Sequence, residues 1–497
     1  MPRRPGSVTS RWWAGWSRWA ARSSSRPPSS WIRTGVPSVR PPVSSRSPTT
    51  PRCGCPTTTT RSAPPVPAAT STGWRVRCGR PAIRCCAPTT RPPPVTSRSS
   101  RPETARSTAP ATRTGAAGRR RTPIGTSRKG SLSETTAEQL ATHIVARTVE
   151  RAGLDPQRLD DIILAESMYG GGDLARYAAV ANGWTAIPGQ AVNRHCAGSL
   201  TTVADAAAQV IAGMDRYIVA GGVQSFSTSP VNLWATPGQT DYKPGLRPTF
   251  PHTEDANDEV SLSVGWNLAQ KYGLSRAEMD AWALRSHQRA VAAIDAGTFD
   301  DEIAPLEVTK EGNTFRFDTD EHPRRSSTAE KLASLNPLKP EIDGFSITAG
   351  NAAGVNDAAA ALLVTTVEGA QAEGLEPLAR VAGWAFVGVD PRYTGDGAIV
   401  AAQKLLDRTG LSADQIDVWE INEAFASVPV AACRVLGLDE EKVNLHGSGC
   451  SLGHPVAASG ARMLTTLVHE LRRRGGGRAV ATMCAGAGQG GAVLIEA

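Results

Sequence analysis

Leucine is missing from the first 131 residues of this chain, and the first 120 also lack Phe, Tyr, His, Asn, Gln, Lys and Asp. A segment without the commonest core-forming residues cannot pattern a helix or strand, so residues 1–119 read as a disordered leader. Acidic residues are almost missing as well: residues 1–120 hold 22 Arg against a single acid, Glu103, a net of +21. The whole chain carries only +8, so the remainder is acidic at −13. The basic balance therefore belongs to the leader, and its Arg residues lie on no patterned helix or sheet, which excludes nucleic acid and membrane as partners. The leader is also too long, too rich in Pro and too poor in amphipathic periodicity for a transit peptide. Its Arg, Pro, Ser, Thr, Ala, Gly and six Trp are what GC-rich codons give when shifted, and we read it as an out-of-frame translation.

Cysteine is scarce where it could matter. Cys53, Cys55, Cys78, Cys85 and Cys86 fall in the leader without paired Cys-x-x-Cys spacing, which leaves Cys196, Cys433, Cys450 and Cys484. Four scattered cysteines exclude a disulfide framework and a zinc motif, and point to reduced thiols and a cytoplasmic protein. No metal site is expected. No apolar run of ~18 residues occurs, which excludes a transmembrane helix.

What is present begins near Arg121. "SETTAEQLATHIVARTVERAG" (133–153) has a Ser/Glu capping-box start, apolar residues at helical spacing and a Gly stop. "LDDIILAES" follows as a buried strand, then "GQAVN" as a strand, "SLTTVADAAAQVIAGM" as a helix and "RYIVAGG" as a strand. The last hundred residues repeat the plan. They run helix "AIVAAQKLLDRTG", strand "DVWEIN", helix "EAFASVPVAACRVLG", helix "ASGARMLTTLVHELRRRG" and strands "RAVATMC" and "GGAVLIEA". Strands separated by helices predict a layered α/β fold with mostly parallel sheet. "VNRHCAGSL", helix, "RYIVAGGVQS" also parallels "VNLHGSGCSLGHP", helix, "RAVATMCAGAGQG", which predicts two related α/β halves. Residues 227–345 are richer in polar and loop-forming types and read as an inserted loop subdomain.

Four stretches carry candidate chemistry, each beside an ordinary structural alternative. Cys196 lies where a strand hands over to a helix N-terminus, where unpaired N–H groups and the helix dipole favour a thiolate; it could equally be a small buried hydrophobe. Cys484 sits in the glycine turn "MCAGAGQGG", whose N–H groups could approach an oxyanion, although glycine turns between strands are common. His454 is held between a Gly and a Pro, as a base or as a structural histidine. Asn422 and Glu423 end the strand "VWEI", where α/β sheets place sites, and Asn422 could also cap the next helix.

Taken together, "RTPIG" (121–125), "NRHC", "SITAGNAAGVNDAAAAL", "NEAFA", "GHPVAASGAR" and "CAGAGQGGA" resemble the thiolase family of acyl-CoA acyltransferases across nearly all of residues 121–497. The resemblance implies an α/β thiolase-like fold: two similar halves in five layers, residues 120–372 with the loop subdomain inserted, and residues 373–497. It implies Cys196 as the nucleophile that carries the acyl group, and His454 as its activator. With a water held by Asn422, His454 also stabilises the enolate oxygen. Cys484 is then the acid/base, and the N–H groups of Cys196 and Gly486 form a second oxyanion hole. Ala353, Gly354 and Phe425 are the substrate-side residues that follow. No cofactor is bound permanently; coenzyme A is substrate or product, acyl-CoA is the partner, and a homodimer or homotetramer is implied. The expected reaction is cleavage of 3-ketoacyl-CoA by CoA, or condensation of acetyl-CoA, in fatty-acid metabolism.

The departures from the family lie mostly on the substrate side. "HCAGSL" has Gly-Ser where Ser-Gly is commoner, Gln224 and Phe226 stand where Glu and Met are common, and Ala353 replaces a Ser. "DEVSLSVGWN" replaces "HMGxTAEN". The place of the family's first strand reads "ATRTGAAGRR" (111–120), which is expected not to form a buried strand, so one sheet would lose a strand. That loss keeps open a catalytically impaired thiolase-like subunit acting as a binding partner. A β-ketoacyl synthase is a further alternative, but that class uses two histidines in place of His454 and Cys484. Cys433 and Cys450 receive no role.

Overall fold

The computed structural model describes residues 114–497, apart from 168, 170–171, 246–247 and 254–255. The reading of residues 1–119 as a disordered, out-of-frame leader lies outside the described residues as far as 113, as do its five cysteines, but its last six residues are ordered as part of a strand.

Two halves repeat one topology. The first contains strands β1 (Thr114–Arg121), β2 (Asp161–Glu166), β3 (Gln190–Val192), β4 (Ile218–Gln224) and β5 (Asn356–Thr366), with helices α1 (Ala137–Ala152), α2 (Leu174–Ala181) and α3 (Gly198–Ala212). The second contains β6 (Arg380–Gly388), β7 (Val418–Ile421), β8 (Arg478–Ala485) and β9 (Gln489–Glu496), with α4 (Asp396–Thr409), α5 (Ser427–Leu436) and α6 (Ser459–Arg474). The first sheet runs β3-β2-β4-β5-β1, with two parallel pairings and then two antiparallel ones. The second runs β7-β8-β9-β6 with the same change of sense, and a parallel bridge from Trp419 to Val443 stands where β3 stands in the first. The β1 and β6 edges meet at Gly115 and Arg380. The repeat legible in "VNRHC…" and "VNLHG…" is thus a repeat of strand order.

Three buried clusters separate five layers. Leu140, Ile144 and Ala178 of α1 and α2 cover the outer face of the first sheet. Leu200, Val203, Leu464 and Leu467 of α3 and α6 fill the space between the sheets. Ile399, Leu405, Val428 and Ala432 of α4 and α5 cover the outer face of the second. The segment between β4 and β5 holds two hairpins, Leu233–Ala235 with Tyr242–Pro244 and Leu306–Lys310 with Asn313–Phe317, and the helix Arg276–Asp295. Among the described residues no helix is long and apolar enough to cross a membrane, and no group of three His, Cys, Asp or Glu could hold a metal ion.

Three expectations are corrected. The sheets are not mostly parallel, because each turns antiparallel toward the edge where β1 and β6 meet. The capping box of α1 is Thr136 with Gln139 rather than a Ser/Glu pair, because the preceding residues form a separate turn closed by the Thr135 N–H on the Leu132 carbonyl. More consequentially, the stretch expected to be unable to form a buried strand forms β1, paired to β5 from Thr114↔Thr366 to Arg121↔Ala360. Backbone pairing needs no particular side chain, and the strands on either side supply the partners. Gly118 suits the place, since a Cβ there would lie 2.5 Å from the Thr148 carbonyl of α1. No strand is lost, but the fit is poor. The register slips between Ala116 and Arg119, a β-bulge that absorbs one extra residue. Arg119 is buried and, among the described residues, its Nε has no partner and its Nη2 reaches only His469 Nδ1 at 3.3 Å. Burial and the nearby Arg472 and Arg151 lower its pKa to about 10. Arg121 contrasts with it: Glu302 at 2.6 Å and Asp320 at 2.8 Å clamp its guanidinium, and Asp320 Oδ1 also accepts the Ile124 N–H at 2.7 Å.

An unpaired buried polar group costs about 1–3 kcal/mol. Arg119→Ala is therefore expected to raise the unfolding free energy by about that much, read as a higher thermal midpoint. A lowered midpoint would mean that the guanidinium holds β1 in place.

Candidate active site

The site forms where the ends of β7 and β8 meet the beginnings of α3 and α6. Cys196 sits in a single 3-10 turn, His195–Ala197, that leads directly into α3. His195, before it, is held at a φ of 45°, with its N–H donating to Asn193 Oδ1 at 2.9 Å. This left-handed residue turns the chain so that the cysteine enters the helix start. The residue is half-buried, but its sulfur is enclosed enough that desolvation raises its pKa to about 11. The N–H groups of Gly486 and of Cys196 itself approach the sulfur and work in the other direction.

Cys484 is fully buried near the end of β8, two residues before Gly486, which opens the β8-to-β9 turn. Burial and then the charge of a Cys196 thiolate push its pKa upward, so it rests as a thiol. Asn422 follows β7, and its N–H donates to the Thr482 carbonyl at 3.1 Å, which places it beside the strand that carries Cys484. Its Nδ2 lies 3.4 Å from His454 Nε2, and its Oδ1 has no hydrogen-bond partner among the described residues.

The tautomer of His454 follows from its neighbours. Ser459 Oγ donates its one proton to the Pro455 carbonyl at 3.0 Å, so at 2.6 Å it accepts from His454 Nδ1. That leaves Nε2 unprotonated, accepting from Asn422 Nδ2. Burial, with Arg462 behind it, lowers the pKa of His454 to about 3, so the imidazole is neutral at physiological pH. The His454 N–H is itself held by Asn356 Oδ1 at 3.1 Å.

Ala353, Gly354 and Phe425 meet in the same place. The Ala353 N–H donates to the Ala424 carbonyl at 3.0 Å, Ala352 bridges to Phe425, and Gly354 accepts the His454 N–H at 3.3 Å. The His322 ring fills the space where a Cβ on Gly354 would lie. Glu423 turns away from these residues. It is fully buried and accepts from Trp282, Ser286, Asn444 and the Cys450 N–H at 2.6–3.0 Å, pinning the helix Arg276–Asp295 to the end of β7.

The motif reading gave no part to Ser459 or Asn356. Both lie within stretches already singled out, Ser459 five residues after His454 in "GHPVAASGAR" and Asn356 in "SITAGNAAGVNDAAAAL". The unusual Gly-Ser order after Cys196 also finds its reason here. A Cβ on Gly198 would collide with Ala165 Cβ at 2.8 Å, while Ser199 Oγ accepts the Ala461 N–H at 2.9 Å and ties the start of α6 to α3.

The thiolase N-terminal domain matches residues 116–368 of this chain and the thiolase C-terminal domain residues 375–497. The chain belongs to the thiolase family. It is 40% identical over 389 residues to an acetyl-CoA acetyltransferase of Pseudomonas aeruginosa, covering 76% of this chain and 97% of that protein. It is 41% identical over 397 residues to a β-ketoadipyl-CoA thiolase of the same species, with the same coverage. The crystal structure of the acetyl-CoA acetyltransferase of Bacillus anthracis superposes with a TM-score of 0.69 at 37% identity, over 78% of this chain and 99% of that one. Membership of the family makes this chain an acyltransferase, and neither a β-ketoacyl synthase nor an impaired subunit finds support in these likenesses.

Burial lowers the pKa of six histidines of this thiolase, His143 and His195 among them, and takes His454 and His322 to about 3, His287 to about 4 and His469 to about 2. Unfolding returns each to about 6.5, so the unfolded chain binds more protons at acid pH. The stability that these neutral rings contribute is complete above pH ~6.5 and is lost as the pH falls toward 3–4. Thermal midpoints measured between pH 7 and 4 should fall steadily, and a flat profile would contradict the burial of these rings.

Proposed function

We propose that this thiolase cleaves 3-ketoacyl-CoA with CoA, or in reverse condenses acetyl-CoA, through an acyl group carried on Cys196. The observation that supports this most directly is the neutral pair: a Cys196 thiol whose sulfur faces the Gly486 N–H, and a His454 imidazole whose Nε2 is unprotonated. In the cleavage direction His454 Nε2 takes the Cys196 proton as the sulfur attacks the 3-keto carbon. The developing oxyanion meets the N–H groups of Cys196 and Gly486. The bond between the α- and β-carbons then breaks, and its electron pair forms the enolate of acetyl-CoA. That enolate oxygen is received by protonated His454 and a water held by Asn422, and Cys484 gives its proton to the α-carbon. The Cys484 thiolate next takes the proton of incoming CoA, whose sulfur attacks the acyl-cysteine; acyl-CoA is released, and the leaving Cys196 sulfur recovers its proton from His454. Cysteine suits the task because its ester is a thioester, so the acyl group passes between sulfurs without a large change in free energy.

Ala353, Gly354 and Phe425 then line the approach of the acyl-CoA, with coenzyme A as substrate or product and no resident cofactor. Reduced cysteines support a cytoplasmic enzyme of fatty-acid β-oxidation or acetyl-CoA metabolism, working as a homodimer or homotetramer.

After incubation with acetyl-CoA, peptide mass spectra should show an acetyl adduct on the peptide that contains Cys196, and Cys196→Ala should lose it. Asn422→Ala removes one aimed donor and should lower kcat by ~10²–10³ while the adduct still forms. An adduct on another residue, or none with native enzyme, would overturn the assignment.

A further inference from the structure

The N–H of Gly486 faces the Cys196 sulfur, yet Gly486 begins a short turn whose direction has to be fixed by something. Its first side is anchored by the β8–β9 ladder, where Ala485 pairs with Gln489. Within the turn Ala487 has a φ of 66° and Gly488 a φ of 68°, and a left-handed alanine is strained unless its surroundings hold it there. The holding group comes from the connection between β6 and α4. Thr394, 2% exposed, donates its hydroxyl proton to the Pro391 carbonyl at 2.9 Å, and its oxygen accepts the Gly488 N–H at 3.1 Å. The Val389 N–H donates to the Gly488 carbonyl at 2.7 Å, so Gly488 is gripped on both sides of its Cα. A Cβ on Gly488 would run into the Val389 carbonyl, so the grip has no slack.

We propose that Thr394 is a positioning residue for acyl transfer: through Gly488 and the left-handed Ala487 its hydroxyl aims the Gly486 N–H at the Cys196 sulfur. This rests on the thiolase reading of Cys196 and Gly486 given above. A hydroxyl is required because one group must donate to Pro391 and accept from Gly488 at once, which valine, of the same shape, cannot do. Without it the Gly488 N–H is left unpaired in a buried place, and the turn is free to relax the strain at Ala487.

The test uses Thr394→Val and Thr394→Ser in the full chain, with two readouts. The first is steady-state kinetics. Thr394→Val should lower kcat roughly 10- to 100-fold, less than the ~10²–10³ of outright donor loss, with KM for the acyl-CoA within about threefold. The second needs no turnover: the rate at which iodoacetamide alkylates Cys196 at fixed pH, read on the Cys196 peptide, should fall in Thr394→Val because the thiolate has lost an aimed donor. Thr394→Ser should restore both. If the valine variant does not fold, Thr394→Ala is read in the same way. A valine or alanine variant that keeps the native alkylation rate and kcat would overturn the proposal, as would a serine variant that restores neither. A native enzyme that forms no acyl adduct would instead overturn the thiolase reading of Cys196, while the alkylation rates would still decide whether Thr394 aims the Gly486 N–H.

Discussion

The close approach of α3 and α6 in the central layer is the constraint on which the site rests. Ser199 accepts the backbone N–H of Ala461 at 2.9 Å, and a Cβ on Gly460 would come within 2.6 Å of the Leu200 nitrogen. Gly222 of β4 leaves room in the same way for the Ala457 carbonyl. Cys196 stands one turn before α3 and His454 five residues before α6, so the separation of these helices sets the separation of the two side chains. A side chain at any of these positions would push the helices apart and act on the chemistry without touching substrate. Packed interiors transmit such displacements because they contain little free volume.

A second tier of buried charge holds the loop subdomain to this centre. Glu423 gathers four donors and ties the helix Arg276–Asp295 to the residue next to Asn422. Arg462 meets Glu420 at 2.5 Å behind His454, and Arg121 meets Glu302 and Asp320 at the end of β1. Removing one partner from such a group leaves an uncompensated buried charge, which is why these residues hold geometry firmly even though each pair adds little net stability. Arg119 lies two residues from Arg121 on the same strand and forms no ion pair with a carboxylate among the described residues. The same residue type is thus an anchor in one place and a defect in the other, and the difference lies in the partner supplied by a distant segment.

Much of this was legible in the residues alone. The helices around "LATHIVARTVERAG" and "MLTTLVHELRRR" carry their own period, and the two Val-Asn-x-His stretches announce a repeated unit before any coordinate is known. Cys196, His454, Cys484 and Asn422 were each marked by a local signal, namely a strand-to-helix junction, a Gly-His-Pro turn, a glycine turn and a strand end. Their signals are local because special backbone geometry is written in neighbouring residues.

What stayed hidden depends on residues far apart in the chain. "NDAAAALLVTT" has the composition of a helix, and β5 exists because β4 and β1 offer pairing on both sides. β1 itself contradicts its composition, since the ladder of hydrogen bonds and the Arg121 clamp outweigh a misplaced guanidinium. The tautomer of His454 and the grip of Thr394 on Gly488 join segments separated by a turn in one case and by most of a domain half in the other. Local pattern specifies which backbone shapes are allowed, because sterics act between neighbours. Long-range pairing specifies which donors and charges end up together, because those partners come from elsewhere in the sequence.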